Sequence, residues 1–449
     1  RVYDGANEPA AYAVSALEAY GLEPKQPGEE VAYGVFDFGG GTTDFDFGVE
    51  YVPENRRRKF IIEQFGFGSD MYLGGENILE LLAYEVFKDN LSEMRKHKIT
   101  FALPPECETF AGAEALVRET RDAASHLNNK ILAERLRPFW ERGAGYDEFA
   151  TGDGFKTTLT LFSSEKTGNA GNRAQVHIDI DVRKLERTLE DRIRRGVENF
   201  FQAMATAFKG RTVRQVHIFL AGNSCKAPMV RKLFEEYITS RMESTMRVPQ
   251  TGKSDAKGKQ SADAGKSAVP RKDDPFLLYL PLGMEDEEAG KGKKLNGDFD
   301  RMRTGKTGVA FGLLRCRKGG KDVKIINKNV DAHDELLFPY FLGSLSERGC
   351  FRVDIDARVD YGTWSYFTYA DEDEFELYYT QEPRALQGHM KASEVRMVRC
   401  IIDDDDVSDD DEVGVYIRKK SPNTIEYTVA SEKALGVKNY KGKIYTVRL

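Results

Sequence analysis

The stretch VAYGVFDFGGGTTDFDFGVE, residues 31–50, decides how the first part of the chain folds. Val, Phe and Tyr dominate both of its ends, which is typical of β-strands, and three consecutive glycines interrupt it at 39–41. We therefore predict two strands that form a hairpin with a glycine turn at its tip. Asp37 ends the first strand and Asp44 lies in the return strand, so the two carboxylates come to the two sides of that tip.

The glycine turn has the composition of an anion-binding loop. Without Cβ atoms, the three glycines let successive backbone N–H groups approach a polyanion, and Thr42 adds a hydroxyl donor. The two flanking carboxylates can hold hydrated Mg²⁺ or orient a water toward a terminal phosphate. A tight turn also uses glycine for its geometry alone, so the turn by itself leaves both interpretations open.

Helices and strands alternate around the hairpin, which predicts an α/β fold. A capped helix, NEPAAYAVSALEAYGL, precedes it, and a third strand, KFIIEQFGFG, follows it. Further predicted elements are a helix at about 76–90, mostly helical structure over 110–145, a strand GFKTTLTLF and a long helix over about 182–209. VRQVHIFLAGNSCKAPMVRKLFEEYI then predicts a strand, a loop and a helix.

The composition changes twice further along the chain. Residues 249–274 lack aromatics and are rich in Lys, Gly, Ser and Ala, which predicts a mobile insertion. After about residue 330, short aromatic and β-branched segments separated by turns predict an all-β, sandwich-like domain. We therefore divide the chain into an α/β part, 1–325, and a β-rich part, 330–449. Within the latter, the acidic runs 403–406 and 409–412 lack EF-hand spacing and indicate a solvated loop.

Five segments resemble one known family. FDFGGGTTDFDFG is similar to the second phosphate loop of the DnaK-type (seventy-kilodalton heat-shock) chaperone ATPases, which have the actin-like, ribonuclease H-like fold. NEPAAYAVSALEAYGL resembles the family's connecting helix, LGGENILELLAYEVF its Leu-Gly-Gly-Glu helix start, FLAGNSCKAPMVRKLF its adenosine-side loop and TGKTGVAFGLL its closing helix. The segments follow the family's order over about residues 1–315. The resemblance implies the second lobe of an actin-like ATPase that binds ATP or ADP with Mg²⁺.

The resemblance also implies a role for each matching residue. Asp37 and Glu8 would act on the attacking water, and Asp37 and Asp44 would hold Mg²⁺. The nucleotide-binding positions would be Gly39, Gly40, Gly41, Thr42, Asp44, Gly74, Gly75, Glu76, Gly222, Asn223 and Ser224. Taken singly, Glu8 is equally a helix-cap carboxylate, and Gly75 or Gly222 is equally a strand-to-helix turn.

The adenosine side departs from the family's pattern. The positions of its adenine-clamping Glu, Lys-Arg pair and Ser align with Arg121, Ala124, Ser125 and Asn128. Elsewhere Asn223 replaces a Gly, Lys226 replaces an Arg, and Lys306 stands where an Asp is expected. The base is therefore held differently, or affinity is weak, or another nucleotide is bound. The family's first phosphate loop and catalytic Lys belong to a lobe that we expect upstream of Arg1, and without it ATP hydrolysis is expected to be inefficient.

A second phosphate-binding motif is not favoured. TGKT at 304–307 suggests a Walker P-loop, but the Gly required five residues before Gly305 is Asp300, and no strand is predicted before it.

Three functional hypotheses follow. The first is a DnaK-like chaperone ATPase whose β-rich part engages protein clients or co-chaperones; DELLFPY, residues 334–340, loosely resembles the family's interdomain linker but is better interpreted as a buried strand edge. The second is a non-catalytic, nucleotide-responsive scaffold. The third is an actin-like filament former or a sugar kinase.

The composition limits the cellular compartments and the classes of partner that we expect. No run of eighteen apolar residues exists, so no membrane-spanning helix is expected. A net charge of −7 argues against non-specific nucleic-acid binding. Five scattered cysteines without zinc or redox spacing predict a reducing, cytoplasmic environment.

Overall fold

A computed structural model gives the architecture of the chain. It describes residues 7–55, 57–118, 122–150, 154–164, 173–246, 274–284, 303–329, 337–356, 358–403, 413–435, 440 and 442–449. The predicted insertion at 249–274, except its last residue, lies outside these ranges, as do Arg121, most of the two acidic runs and the start of DELLFPY.

The helices are α1 (Glu8–Ala19), α2 (Gly75–Asp89), α3 (Leu91–Lys96), α4 (Ala123–Glu141), α5 (Val182–Ala207), α6 (Pro228–Met246), α7 (Thr307–Arg315) and α8 (Glu432–Leu435). The strands are β1 (Glu30–Phe38), β2 (Thr43–Tyr51), β3 (Phe60–Asp70), β4 (Phe101–Ala102), β5 (Val117–Arg118), β6 (Phe155–Phe162), β7 (Arg173–Ile180), β8 (Val216–Ala221), β9 (Phe276–Tyr279), β10 (Val323–Asn327), β11 (Phe341–Leu345), β12 (Phe351–Ile355), β13 (Ser365–Tyr369), β14 (Glu374–Thr380), β15 (Arg396–Ile401), β16 (Gly414–Ser421), β17 (Thr424–Ala430) and β18 (Tyr445–Arg448). Within the described part of the predicted helical stretch 110–145, only α4 is helical, so the helix is shorter than expected.

A six-stranded mixed sheet with the order β10-β3-β2-β1-β8-β9 organises the first part of the chain. β1, β2 and β3 form an antiparallel meander, whereas β8 runs parallel to β1 and β9 runs parallel to β8. β10 pairs in parallel with β3 and closes the other edge. Because β8 runs parallel to β1, the carboxyl ends of these two neighbouring central strands lie side by side.

Helices cover both faces of this sheet. Tyr33 and Val35 of β1 pack with α1 in one buried cluster. Phe36 and Phe38, on the opposite face, belong to a second cluster with aromatic side chains of α5 and α6 such as Phe200. A strand buried on both faces needs apolar residues at consecutive positions, which explains the nearly continuous apolar run of β1.

The second part of the chain consists of two four-stranded sheets, β12-β11-β14-β15 and β13-β16-β17-β18. Their strand pairs are antiparallel. Leu342 and Leu377 of one sheet share a single core with Ile417 and Ile425 of the other. The predicted succession of an α/β region and a β-rich region is thus present. Phe338 and Tyr340 are buried in this core, so the described end of DELLFPY belongs to the β-rich region.

A buried network of charges joins the two parts; we call it the junction network (Asp70, Glu106, Arg192, Arg195, Glu382, Arg384 and Glu394). Arg192 of α5 binds both carboxylate oxygens of Asp70, at 2.9 and 2.8 Å, and Glu106 at 2.7 Å. Burial alone would raise the pKa of Asp70, but the adjacent Arg192 charge lowers it. From the β-rich side, Glu394 accepts from Arg195 of α5 and from Arg384. In the described ranges, no helix is both long and apolar enough to cross a membrane.

Candidate functional site

The glycine loop, residues 39–42, connects β1 to β2 and lies beside the carboxyl end of β8. Asp37 and Asp44 are directly opposite each other in the antiparallel register, as predicted. The N–H of Gly39 donates to the carbonyl of Thr42 at 3.0 Å and closes the turn. The Thr42 hydroxyl donates to Asp44 at 3.4 Å. The loop is thus a compact hairpin tip with one carboxylate on each side.

The loop is held by hydrogen bonds from the start of α2 to two of the loop's own carbonyl groups. Gly39 O accepts from the N–H of Gly75, and Gly40 O accepts from the N–H of Glu76, at 3.1 and 2.8 Å. Within the part of the chain that the structure describes, the N–H groups of Gly40, Gly41 and Thr42 have no acceptor. Three successive donors at a loop tip can bind an anion.

Two of the loop glycines are not required by the fold. An added Cβ at Gly40 or Gly41 would meet no atom of the described residues within 4 Å, and neither residue has a left-handed φ. Gly74 is different, because a Cβ there would lie 2.3 Å from the Gly41 carbonyl carbon. Gly222 has φ +80° and no room either, since its Cβ would lie 2.2 Å from Phe38 O. Backbone geometry therefore accounts for Gly74 and Gly222 but leaves Gly40 and Gly41 without a structural reason.

Three carboxylates face this loop; we call Glu8, Asp37 and Asp44 the acidic trio. Asn7 caps α1 by accepting from Ala10 N, so Glu8 is not the helix cap and stays exposed in the first turn. Burial, followed by the charges of Asp44 and Glu8, raises the pKa of Asp37 to about 6. The pKa of Asp44 is also raised, mainly because protein atoms displace water around a carboxylate that still reaches solvent. The three side chains therefore influence one another electrostatically.

The acidic trio has no cationic partner among the described residues. Asp37 and Asp44 offer the oxygen ligands that Mg²⁺ prefers, and Mg²⁺ usually keeps several of its waters in such sites. In the described ranges, no group of three or more His, Cys, Asp or Glu residues has the arrangement of a direct metal centre. The donor set fits a hydrated cation held through water and does not fit an ion enclosed by protein ligands.

The predicted residues of the other two segments, 74–76 and 222–224, lie next to the glycine loop. The Ser224 hydroxyl donates to Gly39 O at 3.0 Å, and its side chain is buried, so it supports the loop. Asn223 is exposed beside it. Glu76 is bound through both carboxylate oxygens by Arg137 of α4, at 2.9 Å each. The structure thus brings the predicted residues of three separate segments together, with Ser224, Gly75 and Glu76 mainly in supporting contacts.

The residues that align with the family's adenine clamp fall at the start of α4, where the described ones lie in the core. Ser125 and Asn128 are fully buried. The Asn128 amide bonds to Thr100 O and Phe162 O and links two segments of the core. About three turns later, Arg137 contacts Glu76, and Trp140 packs against Phe38 at a ring distance of 5.9 Å. The end of α4, and not its start, lies beside the glycine loop.

A buried polar group behind the trio was missed by sequence reasoning. Asp46 accepts from Tyr33 Oη at 2.9 Å and from Gln64 Nε2 at 2.5 Å, and Gln64 also donates to Asn7. Burial raises the pKa of Asp46 to about 7. These bonds attach the N-terminus of α1, which carries Glu8, to β2 and β3. The alternation of Asp44 and Asp46 along β2 was the only available signal, because it places both on one face of the strand.

Neither a protein-family model nor a curated protein matches this chain.

Proposed function

We propose that residues 1–325 are the second lobe of an actin-like ATPase, with the phosphates of ATP or ADP on the glycine loop and hydrated Mg²⁺ beside Asp37 and Asp44. The sheet order supports this, since an antiparallel meander continues into parallel strands at β1. Ligands of open α/β sheets bind outside the carboxyl ends of parallel strands. The glycine loop follows the carboxyl end of β1, next to that of β8.

The observation that carries the proposal is the combination, at one hairpin tip, of N–H donors without an acceptor and carboxylates without a cationic partner among the described residues. The donors suit phosphate oxygens, and the carboxylates suit a divalent cation that also contacts phosphate. Gly40 and Gly41 add to it, because no atom of the described residues demands glycine at either position. Asp37 and Glu8 would orient the attacking water, and Gly74, Gly222 and Asn223 would border the nucleoside.

For the whole chain we propose a DnaK-like chaperone function, in which nucleotide binding is coupled to a β-rich region that engages protein clients or co-chaperones. This part rests on the resemblance and on the order of the two regions. A cytoplasmic location belongs to the same proposal.

The junction network favours a second candidate, a nucleotide-responsive scaffold without turnover. Next to Arg192, Arg195 of α5 pairs with Glu394 of the β-rich region, and the Ser69 hydroxyl of β3 donates to Gln381 at 2.6 Å. A region held in this way suits a fixed scaffold as well as a moving client-binding domain.

Phosphate release from Mg–ATP separates these candidates when it is measured on the full-length protein, with the first phosphate loop and the catalytic Lys that the resemblance implies. Turnover that an Asp37→Asn variant lacks supports the ATPase. Nucleotide binding without turnover above that variant supports the scaffold. If wild-type protein neither binds Mg–nucleotide nor releases phosphate, both candidates are wrong.

A further inference from the structure

The outer face of the β13–β16 sheet carries a group of accessible aromatic rings. Tyr366 and Tyr369 of β13 are 48% and 73% exposed. Tyr416 lies between the buried Val415 and Ile417 on β16, so strand alternation turns its ring to the outer face. The rings of Tyr366 and Tyr416 stand nearly perpendicular, at 78°, with centroids 5.6 Å apart.

These rings border a cavity of about 530 Å³, whose lining residues are Trp364, Tyr366, Tyr416, Glu432 and Leu435. Glu432 is its one charged lining residue among those that the structure describes, and it is exposed. Burial and the Glu432 charge both raise the pKa of Tyr416, which agrees with their proximity. Ring faces and a carboxylate together make a site for a positive charge.

The chain already places a cation on part of this surface. The Arg418 guanidinium lies over the Trp364 ring, 4.3 Å from its centroid. Its charge is balanced by Glu426, which accepts from Arg418 Nε at 2.8 Å. One face of the Trp364 ring is thus covered by Arg418, while the cavity beside it has no basic residue among its described lining.

The neighbouring strand offers a way to recognise a peptide. β13 is the edge strand of its sheet and, in the described ranges, pairs only with β16. The backbone groups on its other side can accept an extended segment by strand addition. A side chain of that segment can then enter the cavity beside Tyr366.

We propose that the Trp364–Tyr366–Tyr416 cavity binds a methylated lysine side chain presented by an extended peptide that pairs with β13. An unmodified ammonium would have to replace several water hydrogen bonds, and the cavity supplies one carboxylate for this purpose. A trimethylated ammonium needs no hydrogen bonds, and its methyl groups contact ring faces directly. This site is separate from the glycine loop and does not depend on nucleotide binding.

Calorimetric titration of the full chain with short peptides tests the proposal. The probes are a peptide with one trimethyllysine, the same peptide with unmodified lysine, and a neutral analogue in which carbon replaces the charged nitrogen. We expect the trimethyllysine peptide to bind about tenfold more tightly than the neutral analogue. The unmodified peptide should also bind more weakly than the trimethylated one.

Variants assign the binding to the cavity. Tyr416→Leu keeps an apolar side chain but removes the ring, and it should abolish the preference for the charged probe. Glu432→Gln should weaken binding about threefold, and Met397→Ala, on the outer face of the other sheet, should change it less than about twofold. Unchanged thermal unfolding will show that each variant is folded.

Two results would overturn the proposal on wild-type protein alone. One is binding of the neutral analogue within twofold of the trimethyllysine peptide, and the other is no binding of that peptide at millimolar concentration. Equal affinity for free choline and for the peptide would contradict pairing with β13.

Discussion

The acidic trio and the junction network are two clusters of carboxylates with opposite surroundings. In the junction network, Asp70 and Glu106 enclose Arg192, whose side chain is 3% exposed. In the acidic trio, Asp37 and its neighbours repel one another beside open donors and have no cation among the described residues. The first cluster has its cation within the protein. The second becomes favourable when a cation arrives, which is what a binding site for Mg²⁺ and phosphate requires.

The largest expected effect concerns the complete cluster. Arg192→Met leaves Asp70 and Glu106 buried without their cation, and we expect it to lower the free energy of unfolding by about 3–5 kcal/mol. Urea denaturation measures this. The control is Arg352→Met, because Arg352 is 64% exposed in its pair with Asp354 and should contribute less than about 1 kcal/mol. Similar losses in both variants would mean that the junction network stabilises the fold no more than an exposed ion pair does.

The glycines of the site also form two groups: Gly222 is needed by the backbone, whereas Gly40 and Gly41 are available for a ligand. Gly222→Ala forces a side chain into a left-handed backbone against Phe38 O, and should lower the free energy of unfolding by about 2–3 kcal/mol. The double variant Gly40→Ala/Gly41→Ala should change it by less than about 1 kcal/mol, because no atom in the described part of the chain crowds either site. Thermal or urea unfolding without ligand checks both. A strongly destabilised double variant would show that these glycines serve the fold after all.

The acidic trio predicts a stabilising substitution with a defined pH dependence. The pKa of Asp37 is raised to about 6, so the folded state binds its proton more tightly than the unfolded state does. Its contribution to stability is therefore present at low pH and is lost as pH rises from about 4 to 6. Asp37→Asn should raise the free energy of unfolding by about 1–2 kcal/mol at pH 7, and this gain should vanish near pH 4. A loss of stability at pH 7 would contradict the repulsion.

The smallest expected effect separates support of the loop from ligand contact. Ser224→Ala removes the hydroxyl that donates to Gly39 O and should cost about 1 kcal/mol of stability. If Ser224 only supports the loop, its variant should bind nucleotide less than about tenfold more weakly than wild type. A larger loss of affinity with unchanged stability would place Ser224 in direct contact with the ligand.

Local patterns predicted the parts of the fold that local forces determine. The glycine interruption of two apolar runs predicted the β1–β2 hairpin with Asp37 opposite Asp44, and the apolar stripe of α5 predicted its bounds within two residues. The short aromatic segments after residue 330 predicted strands that the structure contains. FLLY, residues 276–279, forms β9, but four residues carry too little periodicity to distinguish a strand from the sequence alone.

Long-range contacts could not be predicted in this way. Arg192 and Asp70 are 122 positions apart, and no single-sequence pattern pairs them. Asn128 and Arg137 of α4 are both polar, and only tertiary packing decides that Asn128 is buried while Arg137 reaches Glu76. The support of Glu8 through Asn7, Gln64 and Asp46 likewise depends on the register between β2 and β3.

The central claim is that the glycine loop and the acidic trio bind Mg²⁺ with nucleotide phosphates. Calorimetric titration of ADP and ATP into the full chain, with and without Mg²⁺, tests it on wild type and on the Gly40→Ala/Gly41→Ala variant. We predict Mg²⁺-dependent binding by wild type and at least about tenfold weaker binding by the variant, at unchanged unfolding free energy. Equal affinity in the two proteins, or wild-type binding that is indifferent to Mg²⁺, would contradict the claim.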